Sequence, residues 1–198
     1  MDFELNNDAN GQAIATWRLP YSVRLGSSIR SKGIFQFVRL RLPSTSRKNL
    51  TVKAGELSLA LPADKDAEPL IGAVSEALEG IEDRPILPRE IEDILSIKSS
   101  ERHRWLKDGR LPSAGTKTVK LRGRAKKVTF HVFDPKVVED LLDRDAVVGW
   151  REQDAIAAAE RRRTAAWHRS KKRIEAGSGP APESTVEGWD ELYRLGLL

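Results

Sequence analysis

Between Pro88 and Leu142 the chain carries a succession of helix starts, stops and periodicities that leaves few folds open. Pro88 suits the first position of a helix, where its missing N–H costs nothing. Ile91, Ile94 and Leu95 supply the apolar side of that short helix, and Ser96 and Ile97 form a tight turn. A second helix is expected from about Ser99 to Asp108, stopping at Gly109, a residue type that readily takes the left-handed conformation closing many helices. Two runs with a period of two, Thr116 to Leu121 and Lys127 to Phe133, then flank Arg122, Gly123, Arg124, Ala125 and Lys126, the pattern of a long hairpin. Asp134 and Pro135 make an N-cap and first-turn pair that opens one more helix, whose Val137, Val138, Leu141 and Leu142 can pack back on the hairpin.

Stepping 100° per residue along the second helix puts Ser100, His103, Arg104 and Lys107 on one stripe, with Trp105 and Leu106 on the opposite side. Every member of that stripe hydrogen-bonds or carries positive charge, which suits a helix lying in a major groove. Ser99, Ser100, Arg102, His103, Arg104 and Lys107 are the expected contact residues of this helix. Arg102 lies at the core edge, where its stem can run along apolar surface with its head in solvent or on phosphate. On the hairpin, Lys117, Lys120, Arg122, Arg124, Lys126 and Lys127 concentrate like charge that a polyanion would offset, so phosphate or minor-groove contact is expected of them. The apolar residues Val119 and Leu121, facing Val128, Phe130 and Val132, are expected to close one hairpin face on the helices.

The run Arg104, Trp105, Leu106, Lys107, Asp108, Gly109, Arg110, Leu111, Pro112, the hairpin after it and the Asp134–Pro135 helix start resemble the winged helix-turn-helix of the MerR and excisionase superfamily. The resemblance covers Ile86 to Leu142 and implies DNA binding, with the second helix in the major groove and the wing on backbone or minor groove. Two departures stand out. Arg102 occupies a place the family usually fills with an apolar residue, and Lys98 and Glu101 stand where it often has a capping Ser and a following Thr, which would start the helix at Ser99 or Ser100.

Charge follows the same reading, because it is segregated along the chain. From Arg18 to Lys53 there are nine basic residues and no acids, and from Glu56 to Asp93 eleven acids stand against three bases. Lys98 to Lys127 returns eleven bases against Glu101 and Asp108, and Arg161 to Arg173 adds another basic run. Separate basic blocks suit a polyanion touching several elements, although a solvated surface is the plainer alternative. The absence of Cys excludes disulfides, thiolate catalysis and Cys-ligated zinc. The three histidines, His103, His131 and His168, are far apart in sequence and show no metal-ligand spacing. No P-loop or dinucleotide fingerprint occurs, and Glu90, Glu92 and Asp93 are read as the solvent face of the first short helix, so no catalytic residue, metal or cofactor is expected. The polar, acidic start lacks the character of a signal peptide and no apolar run reaches membrane-span length, so a cytoplasmic protein without a membrane partner is expected.

In the first third, Trp17, Leu19, Tyr21, Val23 and Leu25 alternate with polar residues as a strand would, and Pro20 points to a sheet edge. Ile34 to Leu42 reads as a second strand, Pro43 to Asn49 as a hairpin loop, and Leu50 to Leu61 as a third stretch folded around Gly55. On the second strand Phe35, Phe37, Arg39 and Arg41 would share a face. They could stack and neutralise single-stranded nucleic acid, or the phenylalanines could be core under a covering element. A helix is expected from Asp66 or Ala67 to Leu78.

The last third is Ala-rich and basic from Asp145 to Ala176, a helix of roughly 45 Å whose scattered apolar residues cannot bury a deep seam unaided. It could hold a second copy or another protein, lie along nucleic acid, or stay solvated, and only its position resembles the dimerisation helix of MerR-like proteins. The organisation expected is α+β: a polar tail at 1–12, a β-rich N-terminal domain with a helix at 13–80, the winged helix-turn-helix at 86–143, the basic helix at 145–176, a flexible linker at 177–188 and a docking tail at 189–198. The function expected is DNA binding by a transcriptional regulator or a recombination directionality factor of a mobile element. The alternative is a structural subunit of a larger RNA or DNA complex that binds without sequence choice.

Overall fold

The computed structural model describes residues 2–7, 11–62, 67–120 and 127–177. The architecture is mixed α+β, and the chain divides into two compact units, residues 1–147 and 148–198.

The first unit opens with β1 (Phe3–Asn7) and β2 (Ala13–Arg18), continues through a single helical turn α1 (Tyr21–Arg24) and the helix α2 (Ser28–Arg41), and adds β3 (Leu50–Lys53) and β4 (Glu56–Ala60). The four strands form one antiparallel sheet in the order β1-β2-β4-β3. Trp17 pairs across to Phe3 on one side and Leu57 on the other, so alternation puts Ala15, Trp17, Leu57 and Leu59 on one face. That face is buried with Ile34, Val38 and Leu42 of the α2 segment and with Val74 and Leu78 of α3 (Glu68–Leu78), forming the main core. The Trp17 indole N–H donates to Ser75 Oγ of α3 at 3.2 Å, which satisfies the one polar atom of a fully buried ring. β3 and β4 are joined by Ala54 and Gly55, both at positive φ (51° and 85°), the geometry of a two-residue hairpin turn. The positive φ of Gly55 is the conformation that favours glycine, and the Arg24 guanidinium lies close over this residue.

Three expectations for this region are corrected. The alternating segment after Thr16 is a strand only to Arg18, and Pro20 precedes the turn α1. β2 is an interior strand, because the polar segment 1–12 supplies β1 as the edge. Ile34 to Arg41 lies in helix α2, with Leu42 as its C-cap; the helix is capped at its start by Ser27, whose Oγ accepts the Arg30 N–H at 3.0 Å, and Pro43 to Asn49 therefore links a helix to β3. Ile34, Val38 and Leu42 are four apart and share a face in either periodicity, whereas Leu40 separates the two: a strand would bury it, and it is 70% exposed. Covering the sheet takes a helix, and this tertiary demand overrides the β-prone Ile and Phe residues.

The same unit continues with a 3-10 turn (Ile81–Asp83), α4 (Pro88–Ile94), α5 (Ser99–Lys107), the hairpin β5 (Thr116–Lys120) and β6 (Lys127–His131), and α6 (Pro135–Asp143). Ile91, Trp105, Leu111, Phe133 and Val138 are buried among these elements. Ile86 and Phe133 exchange two backbone hydrogen bonds of 2.8 and 3.0 Å, tying the entry to α4 to the base of the hairpin. Asp134 caps α6 as its sequence suggests, accepting the Lys136 N–H at 2.9 Å. Asp145, at φ 46°, turns the chain from α6 into α7 (Ala146–Gly177), the long helix that extends into the second unit.

The sheet half meets the helix-turn-helix half through a polar junction. Arg30 is fully buried; it donates to Val23 O at 2.5 Å and Arg84 O at 3.0 Å and faces Glu90 Oε2 at 3.4 Å. Burial pulls the Arg30 pKa below its ordinary value, and the Glu90 carboxylate works in the opposite direction. Glu90 is 2% exposed and also accepts the Leu87 N–H at 3.0 Å. It therefore does not belong to a solvent face of α4, as its place in a polar run implied. Gly33 permits the close approach of α2, since a Cβ there would fall 2.3 Å from Glu90 Oε1. Ser27 Oγ donates to Asp93 Oδ2 at 2.6 Å, so the cap of α2 is also a tie to α4.

Candidate nucleic-acid interface

The starts of α4 and α5 are fixed by acids three residues in from each cap. Glu101 Oε2 accepts the Lys98 N–H at 2.8 Å, so α5 begins at Ser99 although Lys98 has no capping hydroxyl. At the other end Gly109 takes φ 82°, and Asp108 binds the backbone N–H and the guanidinium of Arg110. Those hydrogen bonds hold the Asp108 carboxyl below its usual range, and the nearby charge of Arg104 contributes. Trp105 is wholly buried at the centre of α5, which orients the rest of the helix surface.

With that anchor, Ser99, Ser100, His103, Arg104 and Lys107 are all exposed, as the helical spacing requires. Arg102 is not. Only 8% of it is accessible, and its Nε donates to Glu92 Oε1 of α4 at 2.8 Å. Its Nη2 lies 3.4 Å from Ser99 Oγ and 3.0 Å from His103 Nε2. The expectation that Arg102 reaches phosphate is therefore corrected: its head is withdrawn to the α4–α5 contact, because a carboxylate is available there to pair with it.

The hairpin rises from a polar knot in which Ser113 Oγ contacts Gly115 O at 2.9 Å, the Gly115 N–H at 3.1 Å and His131 Nδ1 at 2.9 Å. Its register places Thr116 opposite His131, Thr118 opposite Thr129 and Lys120 opposite Lys127 on one face, with the two threonine hydroxyls 2.8 Å apart. Lys117, Lys120 and Lys127 are exposed. Like charges directly across a ladder are destabilising, so the Lys120–Lys127 pair is a local cost that a bound anion would offset. The other face carries Lys117 and Phe130, then Val119 and Val128. Closure on the helices is limited to the base, at Val132 and Phe133; Val119 and Val128 remain 46% and 39% exposed, contrary to the expected packing, because the ribbon projects beyond the core. Arg122, Arg124 and Lys126, together with Leu121, lie outside the described residues, as do the 189–198 tail and all of the linker beyond Gly177.

The proposed aromatic platform of the N-terminal sheet does not form. Phe35, Phe37, Arg39 and Arg41 stand on α2, where 100° steps separate the Phe35–Arg39 pair from the Phe37–Arg41 pair. Both phenylalanines pack partly against the core, and the Arg41 and Arg84 guanidiniums lie 3.6 and 5.0 Å from the centre of the Phe37 ring. What sequence reasoning missed is the pair Glu92–Arg102 and the partners of Glu90 and Asp93. The available signal was an arginine at an apolar position of an amphipathic helix beside a helix rich in acids.

In the second unit, α7 exposes Val148, Ile156, Trp167 and Ile174 along with most of its basic residues. Among the described residues, no helix is long and apolar enough to cross a membrane, and no group of three or more His, Cys, Asp or Glu side chains is placed to hold a metal ion. The chain matches no family model, no curated protein and no solved structure.

Proposed function

We propose that this protein binds double-stranded DNA through α5 and the β5–β6 wing, as a transcriptional regulator or a recombination directionality factor of a mobile element. The observation that carries the reading is the exposed row Ser100, His103, Arg104 and Lys107 on a helix anchored by Trp105, next in the chain to a projecting ribbon with three exposed lysines. The helix-turn-helix, the wing and the sequence likeness to MerR and excisionase proteins support the same reading. A helix row of donors suits base edges, and lysines on a two-stranded ribbon suit phosphates. The test is a titration of selected and random duplexes over a range of salt. Discrimination of about a thousandfold or more would sustain a regulator. Equal affinities would favour the alternative, a structural subunit of a larger nucleoprotein complex.

A second copy of the chain is the proposed partner of α7. At 3.6 residues per turn, Val148, Gly149, Glu152, Ile156, Ala159, Arg163, Ala166 and Trp167 fall within an arc of about 100°. An antiparallel pairing about the midpoint between Ala157 and Ala158 sets Glu152 against Arg163 of the second copy, Ile156 against Ala159, Val148 against Trp167 and Gly149 against Ala166. Each large side chain meets a small one or one of moderate size, and each charge meets its opposite, as a two-fold interface requires. Sedimentation measurements should show a dimer weakened by Glu152→Arg and restored by adding Arg163→Glu. A monomer at tens of micromolar would sink this part of the reading.

A further inference from the structure

We infer that Arg102 is a positioning residue that fixes the proton of His103 on Nδ1 and so makes this side chain a hydrogen-bond donor for a base edge. The inference rests on the DNA-binding reading of α5 and adds to it which atom reads and what holds it. A guanidinium has five N–H donors and no acceptor, so the His103 Nε2 at 3.0 Å from Arg102 Nη2 must present its lone pair. An uncharged imidazole carries one proton, which then sits on Nδ1. The group that imposes this is rigid. The planar fork of Arg102 is held at its Nε by Glu92 Oε1 at 2.8 Å, has Ser99 Oγ as a further neighbour at 3.4 Å, and is nearly buried between α4 and α5. Glu92 of α4 is the carboxylate paired with Arg102, Glu101 lies beside it at the helix start with its carboxylate on the Lys98 N–H, and the exposed row of α5 adds Arg104 and Lys107.

The chemical consequence concerns base choice. In the major groove an N–H donor pairs with guanine N7 or O6, adenine N7 or thymine O4, and is refused by the amino group of cytosine. His103 so held would favour an acceptor-bearing base at the position it faces, whereas the opposite tautomer would offer an acceptor and reverse that preference. The arginine found at an otherwise apolar helix position thereby gains a role: it is withdrawn from phosphate and acts through its neighbour.

The proton can be located without DNA. In the His131→Gln/His168→Gln protein His103 is the one histidine left of three, and nitrogen-15 NMR distinguishes a proton-bearing nitrogen from a lone-pair nitrogen. The expected pattern is Nδ1–H with a bare Nε2, changing towards Nε2–H when Arg102→Met removes the donor. A proton on Nε2 in the protein that retains Arg102, or a pattern unmoved by Arg102→Met, overturns the inference. The first of these readings survives even if the Met variant folds poorly. Selection from randomised duplexes then tests the consequence. Arg102→Met and His103→Ala should relax preference at the same base, by about three- to tenfold for a single hydrogen bond. Preference lost with His103→Ala but kept with Arg102→Met overturns the positioning role. A parent protein with no base preference overturns the base reading of α5 itself, and the DNA-free measurement separates that failure from a failure of the Arg102–His103 contact.

Discussion

The junction between the sheet and the helix-turn-helix gives the sharpest stability prediction. Glu90→Gln keeps the side chain's shape and its capacity to accept the Leu87 N–H, and removes the charge that faces Arg30 at 3.4 Å and Arg84 at 4.0 Å. At 3.4 Å and an effective dielectric of about 20, the lost attraction is roughly 5 kcal/mol, a ceiling set by Coulomb's law. Arg30 retains two backbone acceptors, Val23 O and Arg84 O, and Arg84 is itself a cation beside the site, so its own repulsion of Arg30 persists in the variant. A loss of about 3 kcal/mol is therefore expected, at the lower end for breaking one side of a buried pair. For a unit of this size that corresponds to a fall in Tm of about 6–12 °C. Urea unfolding followed by circular dichroism measures it directly. The companion double variant Arg30→Met/Glu90→Met replaces both charges by apolar groups and should lose less than Glu90→Gln, because no uncompensated charge is left inside. A loss below about 1 kcal/mol for Glu90→Gln, or a double variant as unstable as the two single changes added together, would refute the account of Arg30 as a buried cation that depends on Glu90.

Three further outcomes follow from named contacts. Ser27→Ala removes both the cap of α2 and the 2.6 Å bond to Asp93, and should cost about 1–2 kcal/mol in the same unfolding assay. Lys120→Gln with Lys127→Gln relieves the cross-strand repulsion, so the free protein should be no less stable, while the salt dependence of duplex binding becomes shallower by about two in slope. The Asp108 carboxyl is held below its ordinary pKa by Arg110, so its contribution to the end of α5 is complete above the ordinary carboxylate range and is lost as pH falls through the lowered value; an NMR titration of Asp108 in the folded protein should show that low value, and Arg110→Ala should return it upward.

Legibility differed along the chain for physical reasons. From Pro88 to Asp143 the cues are local: a proline at a helix start, a left-handed glycine at a helix end, a period of two in the ribbon and an Asp-Pro cap, each satisfied within a few residues of itself. Those elements therefore stand where the sequence puts them. In the first third the apolar residues are compatible with two periods, and what chooses between them is a sheet face that needs a cover, a demand made by β2 and β4 from elsewhere in the chain. The edge strand β1 was hidden for a similar reason. Its five residues FELNN are all exposed and alternate only over Phe3 to Asn6, too short a run to mark a strand inside a polar segment, and its place depends on the backbone of β2 offering unpaired groups.

The candidate site divides in the same way. The row Ser100, His103, Arg104 and Lys107 follows from helical spacing and from the need of Trp105 for the interior, both of which are properties of the sequence. The fates of Glu90, Glu92 and Arg102 do not, because a charged side chain has no periodicity that says whether it ends in water or against an opposite charge. That choice depends on which partner comes within about 4 Å once the helices are packed, since burial without a partner is prohibitive and burial with one is tolerable. By itself the sequence determined a helix-turn-helix with a cationic ribbon and the residues its second helix exposes. The tertiary structure alone decided that a helix covers the N-terminal sheet, that Arg30 and Glu90 join the sheet to α4, and that Arg102 faces Glu92 and His103.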